Sequence, residues 1–348
     1  MGGGMGDKTN AGNFFENYRL GQVITHAIPR TLSGGERALY HALYPARHAL
    51  YSSGEFARAC GLPASPLDDL IAFHTVFGKT VPDISLNAVA NLGYAAGRWH
   101  LPVYAGDTLS ARSTVVGLKE NSNGQTGVVY VRSEGINQHG HCVLDYTRWV
   151  MVKKRDTGAP AHTPVVPDLP KALAAQDLVI PKGLTFAAYD FALAGEGHRM
   201  RDYAVGEVID HVDGVTLEEA EHMLATRLWQ NTAKVHFDAT QRPDGRRLIY
   251  GGHIISLARA LSFNGLANAQ MIVGLNGGAH VSPAFAGDTV RAWSEVLDMA
   301  QTTAPSVGAI RLRLVAHKGA LAGPLRGADG KYSPEVLLDL DYWALMPI

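Results

Sequence analysis

The chain has little that would tie it to a membrane, a nucleic acid or an oxidising compartment. Of its 348 residues only two are cysteine, Cys60 and Cys142, too few for a disulfide framework, so a reducing cytoplasm is the natural setting. No apolar run approaches the roughly 20 residues that span a bilayer, and the Gly-rich start lacks the apolar core of a signal peptide. Charge of one sign is missing as well: 31 Lys and Arg are interspersed with 32 Asp and Glu, for a formal charge of −1. That balance leaves no electrostatic footprint for nucleic acid, yet it permits a small anionic ligand.

What the chain does have is a second copy of itself. Residues 17–26 (NYRLGQVITH) recur at 202–211 (DYAVGEVIDH), an offset of 185. Residues 103–109 (VYAGDTL) recur at 284–290 (AFAGDTV) and 127–132 (GVVYVR) at 308–313 (GAIRLR), both at an offset of 181. Both copies close on Leu-Asp-Tyr, at 144–146 and 340–342. Four matches in one order indicate a tandem duplication, and a period this long means two whole domains rather than solenoid units of about 20–50 residues. Neither cysteine has a counterpart in the second copy, which argues against a catalytic thiol.

The expected organisation is a flexible start over residues 1–14, a domain over 15–153, a Pro-rich linker over 154–185 and a second domain over 186–348. Pro160, Pro164, Pro167 and Pro170 mark the linker. Ser33 with Glu36 fits a capping box before a helix over 37–44, and Thr216 with Glu219 does the same before a helix over 220–229. A second helix in each copy is expected over 84–96 and 254–268, followed by strands such as 108–118, 127–134 and 142–152. Helices followed by a strand meander predict an α+β domain with an antiparallel sheet. The run from His139 to Cys142 reads as a hairpin turn rather than a metal cluster, and the run from Gly274 to Gly278 as a loop rather than a dinucleotide fingerprint. The run from Gly327 to Lys331 has the wrong spacing for a phosphate-binding loop.

The copies diverge chemically just after their first helices. At the 185 offset, residues 44–51 (YPARHALY) align with 229–236 (WQNTAKVH), so Ala46 and Tyr51 stand where the second copy has Asn231 and His236. Here the chain resembles the MaoC-like (R)-specific enoyl-CoA hydratases, which carry Gly-Asp-x-Asn-Pro-x-His in this loop and a His-Gly-Met turn opening the central helix. Gln230 to His236 match the loop, with Asn231 in the Asp place, and Tyr250-Gly251-Gly252 match the turn. Ser256 falls where the family has a helix serine, and the Ala-Gly-Asp-Thr strand openings at Ala105 and Ala286 are typical. The resemblance covers nearly all of both copies and implies a tandem, or double, hot-dog fold, in which each half wraps an antiparallel sheet around a central helix. Residues 33–48 and 78–87 are most similar to the branch acting on mesaconyl-CoA, implying its reversible hydration to (2R,3S)-β-methylmalyl-CoA.

The resemblance assigns His236, Asn231, Ser256 and Gly251 to catalysis. Hydrating an α,β-unsaturated thioester needs a base for water, a proton for the α carbon and donors for the thioester oxygen. An imidazole suits the first two roles, an amide can orient water, and a helix-opening glycine suits the third. The first copy is expected to shape the acyl pocket and complete the coenzyme A groove. Arg47, His48 and Tyr51, with Tyr250, Gly252 and Arg259, are the expected substrate contacts. Arg47, His48 and Arg259 are the candidate partners of the acyl carboxylate. The resemblance implies no metal and no cofactor beyond the coenzyme A of the substrate. The expected partner is an acyl-CoA thioester, with no nucleic acid and no membrane, and a homo-oligomer, a dimer first, is the expected assembly. A hot-dog thioesterase usually carries a helix carboxylate, which 254–268 lacks; a non-catalytic acyl-CoA-binding protein would have no need of His236.

Overall fold

The second helix of the first copy is not where small apolar residues suggested. In the computed structural model, which describes residues 8–320 and 324–348, residues Ala88–Trp99 form a strand, and the central helix lies earlier, over Asp69–Thr80. Every residue of that helix is buried. A helix wrapped by a sheet presents no polar stripe, so its sequence lacks the amphipathic period that marks surface helices. A single π-helical turn, Val81–Ser85, then carries the chain into the strand. The Ala and Gly residues of 88–99 serve close packing between strands. A Cβ on Gly93 would meet the Trp149 ring at 2.4 Å, and one on Gly97 would meet Leu275 Cβ at 2.8 Å.

Four helices of eight residues or more organise the described chain: α1 (Gly34–Leu43), α2 (Asp69–Thr80), α3 (Glu219–Leu228) and α4 (Gly251–Leu261). Ser33 and Glu36 form the expected reciprocal cap of α1, with Ser33 N donating to Glu36 Oε2 at 2.7 Å. Thr216 does not cap α3. It ends a strand, its hydroxyl paired with Thr289 at 2.9 Å, and Glu218 precedes the helix without a side-chain cap. Helix α4 begins three residues before the expected 254 and stops at Leu261, because Asn264 and Gly265 leave helical dihedrals, Gly265 at φ 96°.

Among the described residues ten antiparallel strands form one continuous sheet in the order β1-β3-β4-β5-β2-β7-β10-β9-β8-β6. The first copy supplies β1 (Val23–Thr31), β2 (Ala88–Trp99), β3 (Thr108–Glu120), β4 (Thr126–Ile136) and β5 (Cys142–Lys153). The second supplies β6 (Val208–Thr216), β7 (Ile272–His280), β8 (Thr289–Gln301), β9 (Val307–Lys318) and β10 (Val336–Pro347). Each half repeats one strand order around its own central helix, and the halves join where β2 pairs with β7, Tyr94 opposite Gly278 and Gly97 opposite Leu275. This is the tandem hot-dog architecture, α+β in class. Gly274 to Gly278 are therefore strand, not loop; a Cβ on Gly278 would meet Leu340 at 2.8 Å and the Tyr94 ring at 3.1 Å.

The segment between the copies is fixed to the sheet rather than free of it. Val165 pairs with Leu118, Leu173 is buried, and Leu173 N donates to Asn276 Oδ1 at 2.8 Å. His139 to Cys142 do make a hairpin, with Asn137 N donating to His141 O at 2.9 Å. Residues 1–7 of the Gly-rich start lie outside the described residues.

Candidate active site

The two central helices meet across the pseudo-twofold axis. Helix starts Asp69 and Gly251 are 182 positions apart, as are His74 and Ser256, and the latter pair are bonded to each other, His74 Nε2 to Ser256 Oγ at 2.7 Å. His74 Nδ1 also lies 3.1 Å from Tyr250 Oη. Ser256 is fully buried in this network with Tyr40, outside the cavity described next. Its expected place in catalysis is thus occupied by a structural hydrogen bond between the copies.

A cavity of about 240 Å³ opens beside the mouth of α4 and is lined by Asn231, His236, Tyr250 and Gly251 from the second copy. Gln230 adopts a left-handed backbone, φ 55°, and turns the chain sharply after α3. Asn231 N then caps back on Thr226 O at 2.9 Å, and Asn231 Oδ1 accepts from Ala233 N at 3.3 Å. A short helical turn, Lys234–Phe237, presents His236. Its Nδ1 is 2.7 Å from Leu248 O, a carbonyl that can only accept, so Nδ1 carries the proton and Nε2 keeps its lone pair. Burial lowers the His236 pKa to about 4, against the Leu248 carbonyl, which raises it. The ring is a neutral base at physiological pH.

Gly251 opens α4, an 11-residue helix with no side-chain cap. Among the described residues neither its N–H nor that of Gly252 has a partner. Such orphan donors, with the helix dipole behind them, favour a developing oxyanion. A Cβ on Gly251 would lie 2.4 Å from His280 Cε1, so glycine lets that ring pack against the mouth of the helix. Gly252 serves differently: its missing Cβ leaves room for the Tyr250 ring, which would approach to 2.3 Å.

The corresponding place in the first copy is filled. Asp69 opens α2 where Gly251 opens α4, and its carboxylate is bonded to Tyr51, the residue in the His236 position, and accepts from Ile272 N at 2.7 Å. Burial and the nearby Asp68 raise the Asp69 pKa. Only about 10 Å³ of space remains beside it, on the order of one water probe. Tyr51 is thus a packing residue rather than a substrate contact.

Three other expected contacts also lie elsewhere. Arg47 stacks over Phe263, 4.4 Å from the ring centre, beside a separate cavity. His48 is buried edge-on to the same ring at 5.4 Å. Arg259 is buried and satisfied by backbone, donating to Ala269 O, to Gln270 O at 3.0 Å and to Ser262 Oγ at 3.1 Å. The polar side chains that the first copy sends into the cavity are those of Ser85, Asn91, Tyr94 and Arg148. From the second comes His280, whose Nε2 is 3.1 Å from Tyr94 Oη and whose pKa burial lowers to about 4. The signal for Arg148 was present: Leu144, Tyr146, Val150 and Val152 alternate on the buried face of β5, and an arginine stands among them.

A pH profile follows. Because His236 is depressed from 6.5 to about 4, its neutral form persists as pH falls, and a reaction that uses it as base keeps a level kcat/KM to about pH 5 before dropping. The other buried imidazoles, His74 and His222 near 3 and His253 near 4, are neutral when folded and charge when unfolded. Fold stability is therefore lost as pH falls from 6.5 toward 3, and initial rates after a rapid pH jump are the measurement. An acid limb centred near 6.5 would contradict a desolvated base.

The sequence profile of the mesaconyl-CoA hydratase family matches residues 5–323. A mesaconyl-CoA hydratase of Cereibacter sphaeroides is 76% identical over 341 residues, covering 98% of this chain and 99% of the relative. A β-methylmalyl-CoA dehydratase of Chloroflexus aurantiacus is 58% identical, covering 99% of both. The crystal structure of a putative MaoC domain protein dehydratase from that organism superposes with a TM-score of 0.96 at 57% identity, over 98% of this chain and 99% of that one. With its two wrapped helices, its single occupied motif loop and these relatives, the chain belongs to the mesaconyl-CoA hydratase family of MaoC-like double hot-dog proteins.

Proposed function

We propose that the chain adds water reversibly to mesaconyl-CoA to give β-methylmalyl-CoA, with the (2R,3S) isomer as product. The observation that carries this reading is one cavity holding both a neutral imidazole, His236, and a helix-opening N–H, Gly251, that has no partner among the described residues. Each matches one demand of the reaction. His236 Nε2 takes a proton from water as its oxygen attacks the β carbon. The double-bond electrons move toward the α carbon and the thioester oxygen, where Gly251 N–H stabilises the enolate charge. The imidazolium then returns its proton to the α carbon, so H and OH are added in balance. Asn231 orients the water or the acyl group, since its amide cannot accept a proton at neutral pH.

The second copy performs the chemistry, and the first supplies a wall of the same cavity. A soluble thioester substrate and two unpaired thiols, Cys60 and Cys142, suit the cytoplasm.

One assay tests the reading. With mesaconyl-CoA, the conjugated thioester absorbance falls, the product gains the mass of one water, and no thiol is released. Thiol release would make the protein a thioesterase instead, and binding without either change would make it an acyl-CoA-binding protein.

A further inference from the structure

Arg148 is in a place where arginine is costly. It lies on β5, wholly buried, on the face that packs against the central helices. A buried guanidinium normally has a carboxylate beside it. Among the described residues Arg148 has only neutral acceptors: Thr80 Oγ1 at 2.8 Å, Asn91 Oδ1 at 3.3 Å and Ser85 Oγ at 3.4 Å. The Phe77 ring lies 4.3 Å from the guanidinium carbon, and the titratable groups around it are the phenols of Tyr18, Tyr94, Tyr146 and Tyr250. Two buried donors at this point, Arg148 Nε and Asn91 Nδ2, find no acceptor among the described residues. A guanidinium with no anionic partner, its Nε and a neighbouring amide nitrogen both unsatisfied on the wall of a cavity, is the chemistry of an anion receptor.

The location selects the anion. Arg148, Asn91 and Ser85 line the same small cavity as His236 and Asn231, from the opposite copy. In mesaconyl-CoA the free carboxylate is attached to the β carbon, the atom that receives the hydroxyl. The group that binds this carboxylate must therefore face the same reacting carbon as the base. We propose that Arg148, assisted by Asn91 and Ser85, binds the acyl carboxylate of the substrate and sets specificity for a dicarboxylic enoyl thioester. This inference rests on the function proposed above and replaces the expected role of Arg47. Pinning the carboxylate fixes which face of the β carbon is turned to His236, so Arg148 contributes to orientation as well as to affinity.

The test compares mesaconyl-CoA with tiglyl-CoA, in which a methyl group replaces that carboxylate. Arg148→Met lowers kcat/KM for mesaconyl-CoA by about 10²–10³-fold, the loss typical of removing one member of a buried charge pair, and changes the tiglyl-CoA value by less than about threefold. Asn91→Asp, nearly isosteric, places a carboxylate on Arg148 and lowers the mesaconyl-CoA value selectively without removing the arginine. Equal losses for the two substrates in both variants would overturn the proposal and make Arg148 a packing residue. Calorimetric binding of methylsuccinyl-CoA and 2-methylbutanoyl-CoA, saturated counterparts with and without the carboxylate, separates this inference from the reaction. If the wild-type protein does not hydrate mesaconyl-CoA yet prefers methylsuccinyl-CoA at least about tenfold, and the variants lose that preference, the receptor stands and the hydratase reading falls. No preference in the wild-type protein overturns the receptor itself.

Discussion

Replacing His236 with Gln lowers kcat for hydration of mesaconyl-CoA by about 10²–10⁴-fold, the usual contribution of a positioned acid–base group. Glutamine retains a donor for the Leu248 carbonyl, which His236 Nδ1 engages at 2.7 Å, so the loop keeps an anchor while the proton acceptor is lost. The effect belongs to turnover because Nε2 acts on water. KM changes little, since the imidazole makes no ion pair with the substrate. Thermal unfolding of the variant stays close to that of the parent, which separates a chemical loss from a folding one. Steady-state kinetics decide the matter: a kcat within about threefold of the parent would remove His236 from the reaction. No compensation is expected from the first copy, because Tyr51 and Asp69 occupy each other in its pseudo-equivalent site.

The largest stability loss is expected at Gly78→Ala. Gly78 is on α2, and a Cβ there would lie 1.6 Å from the Trp229 carbonyl oxygen and 2.9 Å from its carbon. That oxygen is backbone at the end of α3, so no side chain can swing away and one copy must shift against the other. Overpacking against fixed backbone places the loss at about 3–5 kcal/mol, the diagnostic end of single substitutions. The displaced segment is the turn that presents Gln230 and Asn231, so residual folded protein also loses activity. Gly34→Ala is the control, because a Cβ there meets nothing within 4 Å and alanine is the better helix former. Denaturant midpoints of the two variants provide the comparison. Equal stabilities would mean the copies are less closely packed than α2 against α3 requires.

Much of the second copy's share of the cavity was legible because it is local. Asn231, His236, Tyr250 and Gly251 lie within about twenty residues of chain, and a motif frame places them without knowledge of how the halves pack. The contrast between copies was legible for the same reason, as Tyr51 against His236 is a comparison of aligned positions. The central helix of the first copy was not. Being buried all round, it carries no period, while the small residues that suggested a helix over 84–96 are those a tight strand seam needs.

The sequence by itself determined the duplication, the hot-dog architecture by resemblance, and which copy carries the Asn231 and His236 pair. Only the tertiary structure decided what faces that residue. Pairing of β2 with β7 brings Asn91, Tyr94 and Arg148 from the first copy to His236 and Asn231 of the second, and it leaves Arg47, His48 and Arg259 packed elsewhere. The same packing puts Ser256 against His74 rather than against the cavity. The physical reason is that strand pairing across a seam is set by side-chain size and register over the whole sheet. A residue's distance along the chain from a catalytic motif therefore says little about whether it reaches the substrate.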